Sequence, residues 1–236
     1  LSSLSKGRYF MFPIKKWGLD WWTKTANSIE ISQLVSNSLL IAFFVTILST
    51  IIAFCGALAF ARFSWKGKKM FQKIILMPVF FPQPVLGLAL LLWFNAIGIP
   101  LSWHTAVFAH LVWITPVVTL VIAIQVYGFD PTLEDAAKDL GATPFQIFWR
   151  VTLPLLWPGI WSGMLFAFLL SWGNFPLSLY TTGVDNTVPK WLYSKMVAGY
   201  TPMVPTLGTM STLGAAGLML LGALTVYMMH RRQGRI

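Results

Sequence analysis

Residues 37–61 read NSLLIAFFVTILSTIIAFCGALAFA, an apolar run without a single Asp, Glu, Lys or Arg. Crossing the hydrocarbon core takes about 20 apolar residues in a helix, because inside lipid only a ladder within the segment satisfies the backbone. The run meets that length and is followed at once by Arg62, Lys66, Lys68, Lys69 and Lys73. It therefore predicts a membrane span, and the rest of the chain repeats the pattern. No charged side chain occurs between Lys73 and Asp130, and Gly98-Ile99-Pro100 divides that stretch into spans at 74–97 and 103–127. A further uncharged stretch between Arg150 and Asp185, opening with Pro154 and Pro158, supplies a span at 158–181, and another lies at 205–229. The predicted fold class is all-α, a polytopic membrane helix bundle with five spans.

Composition agrees. Of 236 residues 56% are hydrophobic and only 10% charged, with a mean hydropathy of +0.69. Soluble domains carry roughly a quarter charged residues. Twelve Trp and eighteen Phe fit a chain with two membrane interfaces to occupy. The net charge of +10 does not signal nucleic acid, because the basic residues sit in short segments between apolar runs. The single cysteine, Cys55, lies inside a span and reads as a small packing residue.

The positive-inside rule puts the 62–73 cluster and Arg231, Arg232 and Arg235 in the cytoplasm. Span parity then places the 128–157 loop on the same side. Residues 1–36 form an extracytoplasmic N-terminal segment ahead of a permeating domain at 37–231. Their Lys6, Arg8, Lys15, Lys16 and Lys24 vote weakly the other way, but tight juxtamembrane clusters count for more. A chain that starts outside, at Leu1 and not Met, leads us to expect an upstream helix, giving six spans with both ends inside.

The 128–157 loop holds four of the seven acids: Asp130, Glu134, Asp135 and Asp139. Thr132 with Asp135 three residues on has the pattern of a capping box, alanines 136 and 137 favour helix, and Gly141 offers a left-handed stop. Thr143-Pro144-Phe145-Gln146 starts a second helix with Pro first and Gln third. Phe145, Phe148, Trp149 and Thr152 give it an apolar face, and Leu153-Pro154 closes it. The expectation is two short helices, 132–140 and 143–152. On these grounds alone, a mere interfacial connector stands level with a docking element.

Asp135-Ala136-Ala137-Lys138-Asp139-Leu140-Gly141, then nine residues, then Val151-Thr152-Leu153-Pro154, resembles the "EAA" signature of ABC-importer permeases. Two positions depart from it: Asp135 stands for Glu and Val151 for Ile. The likeness extends over nearly the whole chain, from Asn37-Ser38-Leu39 through Leu76-Met77-Pro78, and is greatest to the spermidine/putrescine-type group. It implies a coupling loop at 130–154 that docks on a cytoplasmic ATPase dimer through Glu134, Asp135, Ala136, Ala137, Leu140 and Gly141. It also implies a second homologous permease subunit, an extracytoplasmic solute-binding protein and a bacterial inner-membrane location with the C-terminus cytoplasmic. The solute would be a polyamine, opine, amino-acid-like compound or phosphonate. Relatives that move polyamines tend to carry acids near the position of Gly173-Asn174, and this chain has none there.

No Gly-x-x-x-x-Gly-Lys-Ser/Thr loop occurs, so ATP and Mg belong to the partner; no cofactor, catalytic residue or metal cluster is expected in this chain. No Asp, Glu, Lys or Arg lies within a predicted span, which argues against an ion-coupled carrier. A passive channel or such a carrier with a merely structural loop is the alternative reading, and a membrane scaffold without transport a third. His110 reads as a helix-packing group; His104 and His230 sit at span ends. Polar residues within spans face a cavity or another helix. Asn95, Trp172, Asn174 and Tyr180 are the substrate-path candidates, with Gln125, Ser171 and Ser178 as further polar positions; Gly173 and Pro176 weaken the helix there. Helix-to-helix glue is the competing role for each. Residues 189–195, with Trp191 and Tyr193, read as a short external helix that serves as an outer gate, a binding-protein contact or an aromatic anchor.

Overall fold

In the computed structural model the first span begins well before the uncharged run. Residues 2–7, 13–14, 16–199 and 201–232 are described, with side chains through Met228; Arg8, Lys15 and Arg235 of the basic clusters lie outside them. Helix α1 (Asp20–Ala26) leads into α2 (Ile29–Ala57), so much of the expected outer segment is helical. Ser28 caps α2 by accepting the Ile31 amide at 3.5 Å. Glu30 sits in the first turn, where the helix dipole favours an acid. Its carboxylate also accepts the Trp191 indole N–H at 2.6 Å. An acid ahead of the quoted run is thus inside the helix.

Helix α2 ends in a π-turn, Leu58–Arg62. The predicted second span, 74–97, is not one straight helix. It is α3 (Lys68–Phe80) and α4 (Gln83–Ala96), bent by 97° at Phe81-Pro82. Pro82 and Pro84 cannot donate into a ladder, which breaks the helix where the hydropathy shows nothing. Helix α5 (Trp103–Tyr127) crosses as expected, opened by a reciprocal Ser102–Thr105 capping box. Helix α6 (Thr132–Asp139) and α7 (Pro144–Ile147) follow. The second loop helix does not stop at Leu153-Pro154. It passes through another π-turn, Phe148–Thr152, into α8 (Leu153–Trp172). The wider turn accommodates a proline that would clash with an ordinary α ladder. The predicted span 158–181 also breaks, at Gly173, after which α9 (Phe175–Thr181) starts afresh. Helices α10 (Val188–Ala198) and α11 (Met203–Arg232) complete the chain.

Helices α2, α5 and α8 form the core through Ile41, Val45, Ala53, Ile114, Val118, Ile122, Leu156 and Ala167. Gly163 sets the α5–α8 spacing: a Cβ there would lie 2.8 Å from Ile122. Such close approach replaces the hydrophobic drive that lipid removes. Helix α11 runs antiparallel to α8, because Trp172 donates to Ser211 at 2.9 Å and Trp161 to Thr225 at 2.7 Å. Its end therefore lies on the face that carries Arg62 and α6. Among the described residues four helices are long and apolar enough to cross a bilayer, and the α3–α4 pair has the length and apolar character for a fifth, as a broken span or a re-entrant loop.

Candidate functional site

The loop folds as a discrete element on one end of the bundle. Asp130, not Thr132, serves the first amide of α6: its carboxylate accepts the Thr132 N–H at 3.0 Å, and this bond holds its pKa below the usual carboxylate value. The expected Thr132–Asp135 capping box does not form. Asp135 accepts from Lys138 at 2.7 Å instead, and that pairing raises the Lys138 pKa. Pro131 takes the cap position, so α6 starts at Thr132 itself, one residue earlier than a Thr132 cap would require. The far end matches the expectation. Gly141 has φ +81°, its N–H reaches the Lys138 carbonyl at 2.8 Å, and the Ala142 N–H reaches Ala137 at 3.0 Å. That is a Schellman stop. The Thr143–Gln146 capping box also forms, with Thr143 N–H to Gln146 Oε1 at 2.9 Å and Gln146 N–H to Thr143 Oγ1 at 3.4 Å.

The six loop residues fall into two groups. Asp135, Ala136, Leu140 and Gly141 are exposed and Ala137 half-exposed, with Leu140 89% and Phe145 73% exposed. Trp149 and Leu133 add to this apolar surface. Glu134 turns inward. Its side chain is 13% exposed, pairs with the Arg62 guanidinium and accepts from the Thr152 hydroxyl. Arg62, read from sequence only as a topology charge, also lies 4.9 Å from the Phe129 ring. No sequence spacing could have shown this, since Arg62 and Glu134 are 72 positions apart.

The four path candidates are not one cluster. Asn95 is exposed and donates to Leu91 of its own helix at 2.9 Å. Trp172 lines a crevice of about 560 Å³ between α2, α8 and α11, with Thr25, Ser32 and Ser211 among its walls. Asn174 and Tyr180 do meet α4. Asn174 is buried, caps α9 by accepting the Leu177 N–H at 3.0 Å, and donates to Gln83 Oε1 at 3.5 Å. Tyr180 lies over Gly87. The two broken crossings therefore touch at their breaks. Irregular backbone at membrane depth is tolerated where it is buried or lines a cavity. Ser171 and Ser178 are bound to neither path: they hold the ring nitrogens of fully buried His110 at 2.9 and 3.1 Å. His110 is a packing group, as expected. Gln125 donates to the Leu155 carbonyl at 3.2 Å, joining α5 to α8.

The external helix departs from the anchor reading. Trp191 is buried against Ile31, Leu34, Val188 and Leu207 instead of lying in an interface. Lys190 donates to Thr182 Oγ1 at 3.0 Å and the Gly183 carbonyl at 2.7 Å, and burial pushes its pKa down. Asp185 accepts the Trp103 N–H at 2.9 Å, so this corner ties α5, α9 and α10 together.

An apolar bundle with interrupted helices and an exposed, separately capped two-helix element at one end has the form of a membrane transport subunit. Residues 50–235 match the family of binding-protein-dependent transport system inner membrane components, and the chain belongs to it. It is 31% identical over 224 residues to the spermidine/putrescine transport system permease protein PotC of Haemophilus influenzae, covering 94% of this chain and 87% of that one. It is also 31% identical over 225 residues to the putrescine transport system permease protein PotI of Escherichia coli K12, covering 92% and 79%. Among solved structures, a bacterial ABC transporter involved in alginate import aligns with a TM-score of 0.72 at 15% identity, over 92% of this chain and 85% of that one. The MetNI methionine ABC transporter aligns at 0.68 and 17%, over 86% and 99%. These two share the fold. The chain is thus the permease subunit of an ABC importer in the inner membrane, a transport subunit and not an enzyme, whose family works with an ATPase and a binding protein.

Proposed function

We propose that α6 is the helix that seats in the cytoplasmic ATPase dimer, and that the chain lines one half of the path for a small organic solute. The exposed face of Ala136, Leu140 and Phe145 carries this reading. It stands on a helix stopped at both ends and fixed to the spans by Glu134. A rigid element of this kind converts closure of the ATPase pair, which holds ATP and Mg, into a shift of the helices. A second homologous permease subunit completes the path, the binding protein delivers the solute to the α10 side, and the C-terminus lies in the cytoplasm.

The relatives' names put polyamines first among the solutes; opines, amino-acid-like compounds and phosphonates are the alternatives. Among the described residues no carboxylate lies inside a span away from the ends, and Glu30 and Asp185 at the outer end are both engaged. A dication on this path would have to rely on aromatic faces and carbonyl oxygens. In the complete complex in proteoliposomes, Ala136→Arg and Gly141→Asp should abolish uptake, with the protein still inserted. Unchanged uptake in both variants sinks the docking role, and flux that persists without the ATPase supports a passive channel. A thermal-shift screen of the binding protein against the four solute classes identifies the cargo.

A further inference from the structure

The covalent chain ties α6 to α5 through Gly128-Phe129-Asp130-Pro131 and to α8 through α7. It has no such tie to α2. Among the described residues, the hydrogen-bonded link from α6 to α2 is the ion pair of Glu134 with Arg62. The same carboxylate takes the Thr152 hydroxyl through its other oxygen. Both partners occupy the last position of a π-turn: Arg62 in Leu58–Arg62 and Thr152 in Phe148–Thr152. π-helix accounts for well under 1% of residues in proteins and concentrates at functional sites, so two such turns converging on one carboxylate are hard to ascribe to packing alone. A cavity of about 200 Å³ lies beside the pair, between Leu58, Phe63, Lys138 and Phe148. One guanidinium nitrogen of Arg62 is buried there without a hydrogen-bond partner. The pair is therefore shielded enough to hold, with free space against which α6 can tilt.

We propose that Glu134 is the positioning residue through which α6 moves the spans, a latch gripping the first span at Arg62 and the fourth at Thr152. This rests on the docking role of α6 but assigns Glu134 no contact with the ATPase. An ordinary brace between neighbours needs one partner. Glu134 has two, on helices that are not adjacent in the chain, each at a turn whose wider hydrogen-bond pattern can shift register. Load applied to α6 thus reaches α2 and α8 together, and without the carboxylate it reaches α2 only by way of α5 and α8.

The test uses the complete transporter in proteoliposomes with its binding protein, reading ATPase stoichiometry, ATP hydrolysis and uptake together. E134Q and R62Q should each keep the ATPase bound while solute moved per ATP falls roughly tenfold. The double variant should be no worse than either single one, since both remove the same link. Wild-type solute per ATP in either single variant, or losses that simply add, overturns the latch. Loss of the ATPase from E134Q also overturns it, because Glu134 would then be a docking contact. R62K, which keeps the charge and loses the guanidinium fork, covers a single variant that fails to assemble: a partial fall is expected, and wild-type coupling in it overturns the latch. The docking role fails separately, if A136R still binds the ATPase and transports.

Discussion

Gly141 sits at φ +81° with nothing within 4 Å of where a Cβ would be, so replacing it costs conformation and not space. Gly141→Ala should destabilise the end of α6 by about 1 kcal/mol. The affinity of the detergent-solubilised permease for the ATPase should fall several-fold in equilibrium binding, and an unchanged affinity would show that the Schellman stop is dispensable. Two titrating groups border the same helix. The Asp130 pKa is depressed in the folded chain, so its support is present above the ordinary carboxylate value and disappears as pH falls through the lowered one. The Lys138 pKa is raised, so its support is present below the ordinary lysine value and is lost as pH rises through the higher one. Neither is lost between about pH 5 and pH 9. ATPase binding should be flat across that window, and a step inside it would point to a different group. The capping chemistry of Thr143, Gln146 and Gly141 was legible because it depends on neighbours in sequence. Asp130 was missed as the partner of the Thr132 amide, since a Thr with an acid three places on imitates a capping box until the proline before it fixes the register.

At the scale of elements, α11 is held to α8 by few polar ties. Trp161–Thr225 and Trp172–Ser211 are the two hydrogen bonds between these helices among the described residues. Such bonds in membranes average about 0.6 kcal/mol each. The double change Ser211→Ala with Thr225→Ala should lower the midpoint of thermal unfolding in detergent by a few degrees, and leaving one bond should give about half of that. Asn174 has a different part. It caps α9 and meets Gln83 of α4, where the two broken crossings touch. Asn174→Ala removes a cap worth about 1 kcal/mol and the amide contact together. Uptake should fall while ATPase binding persists, and wild-type uptake would remove Asn174 from the path. The weak point at Gly173 and Pro176 was legible, but that it and Pro82 end their helices was not. Hydropathy counts apolar residues and is indifferent to the direction of the helix, so Pro82 and Gly173 left the spans 74–97 and 158–181 apparently whole.

Across the whole molecule, the end with α6, Arg62 and the last turns of α11 lies opposite the end with α9, α10 and the start of α5. With Cys55 replaced by Ser, a cysteine at Leu140 should react with an impermeant maleimide only from the cytoplasmic side. One at Val184, which is 90% exposed, should react only from outside. The reverse pattern would invert the topology. Arg62 and Lys66 to Lys73 set the expected sidedness, and α11 runs antiparallel to α8 as successive spans must.

The sequence by itself determined the class of fold, the transport family and the position of the two-helix loop. Long uncharged runs can be satisfied only by helices in lipid, and a capped segment between them is written in adjacent residues. Only the tertiary structure divided that element into an exposed face at Ala136 and Leu140 and an inward Glu134. It likewise paired Arg62 with Glu134, withdrew Trp191 from the membrane interface and brought Gln83 to Asn174. Each of these contacts joins residues distant in the chain, and their meeting depends on where helices bend and cross, which local composition does not encode.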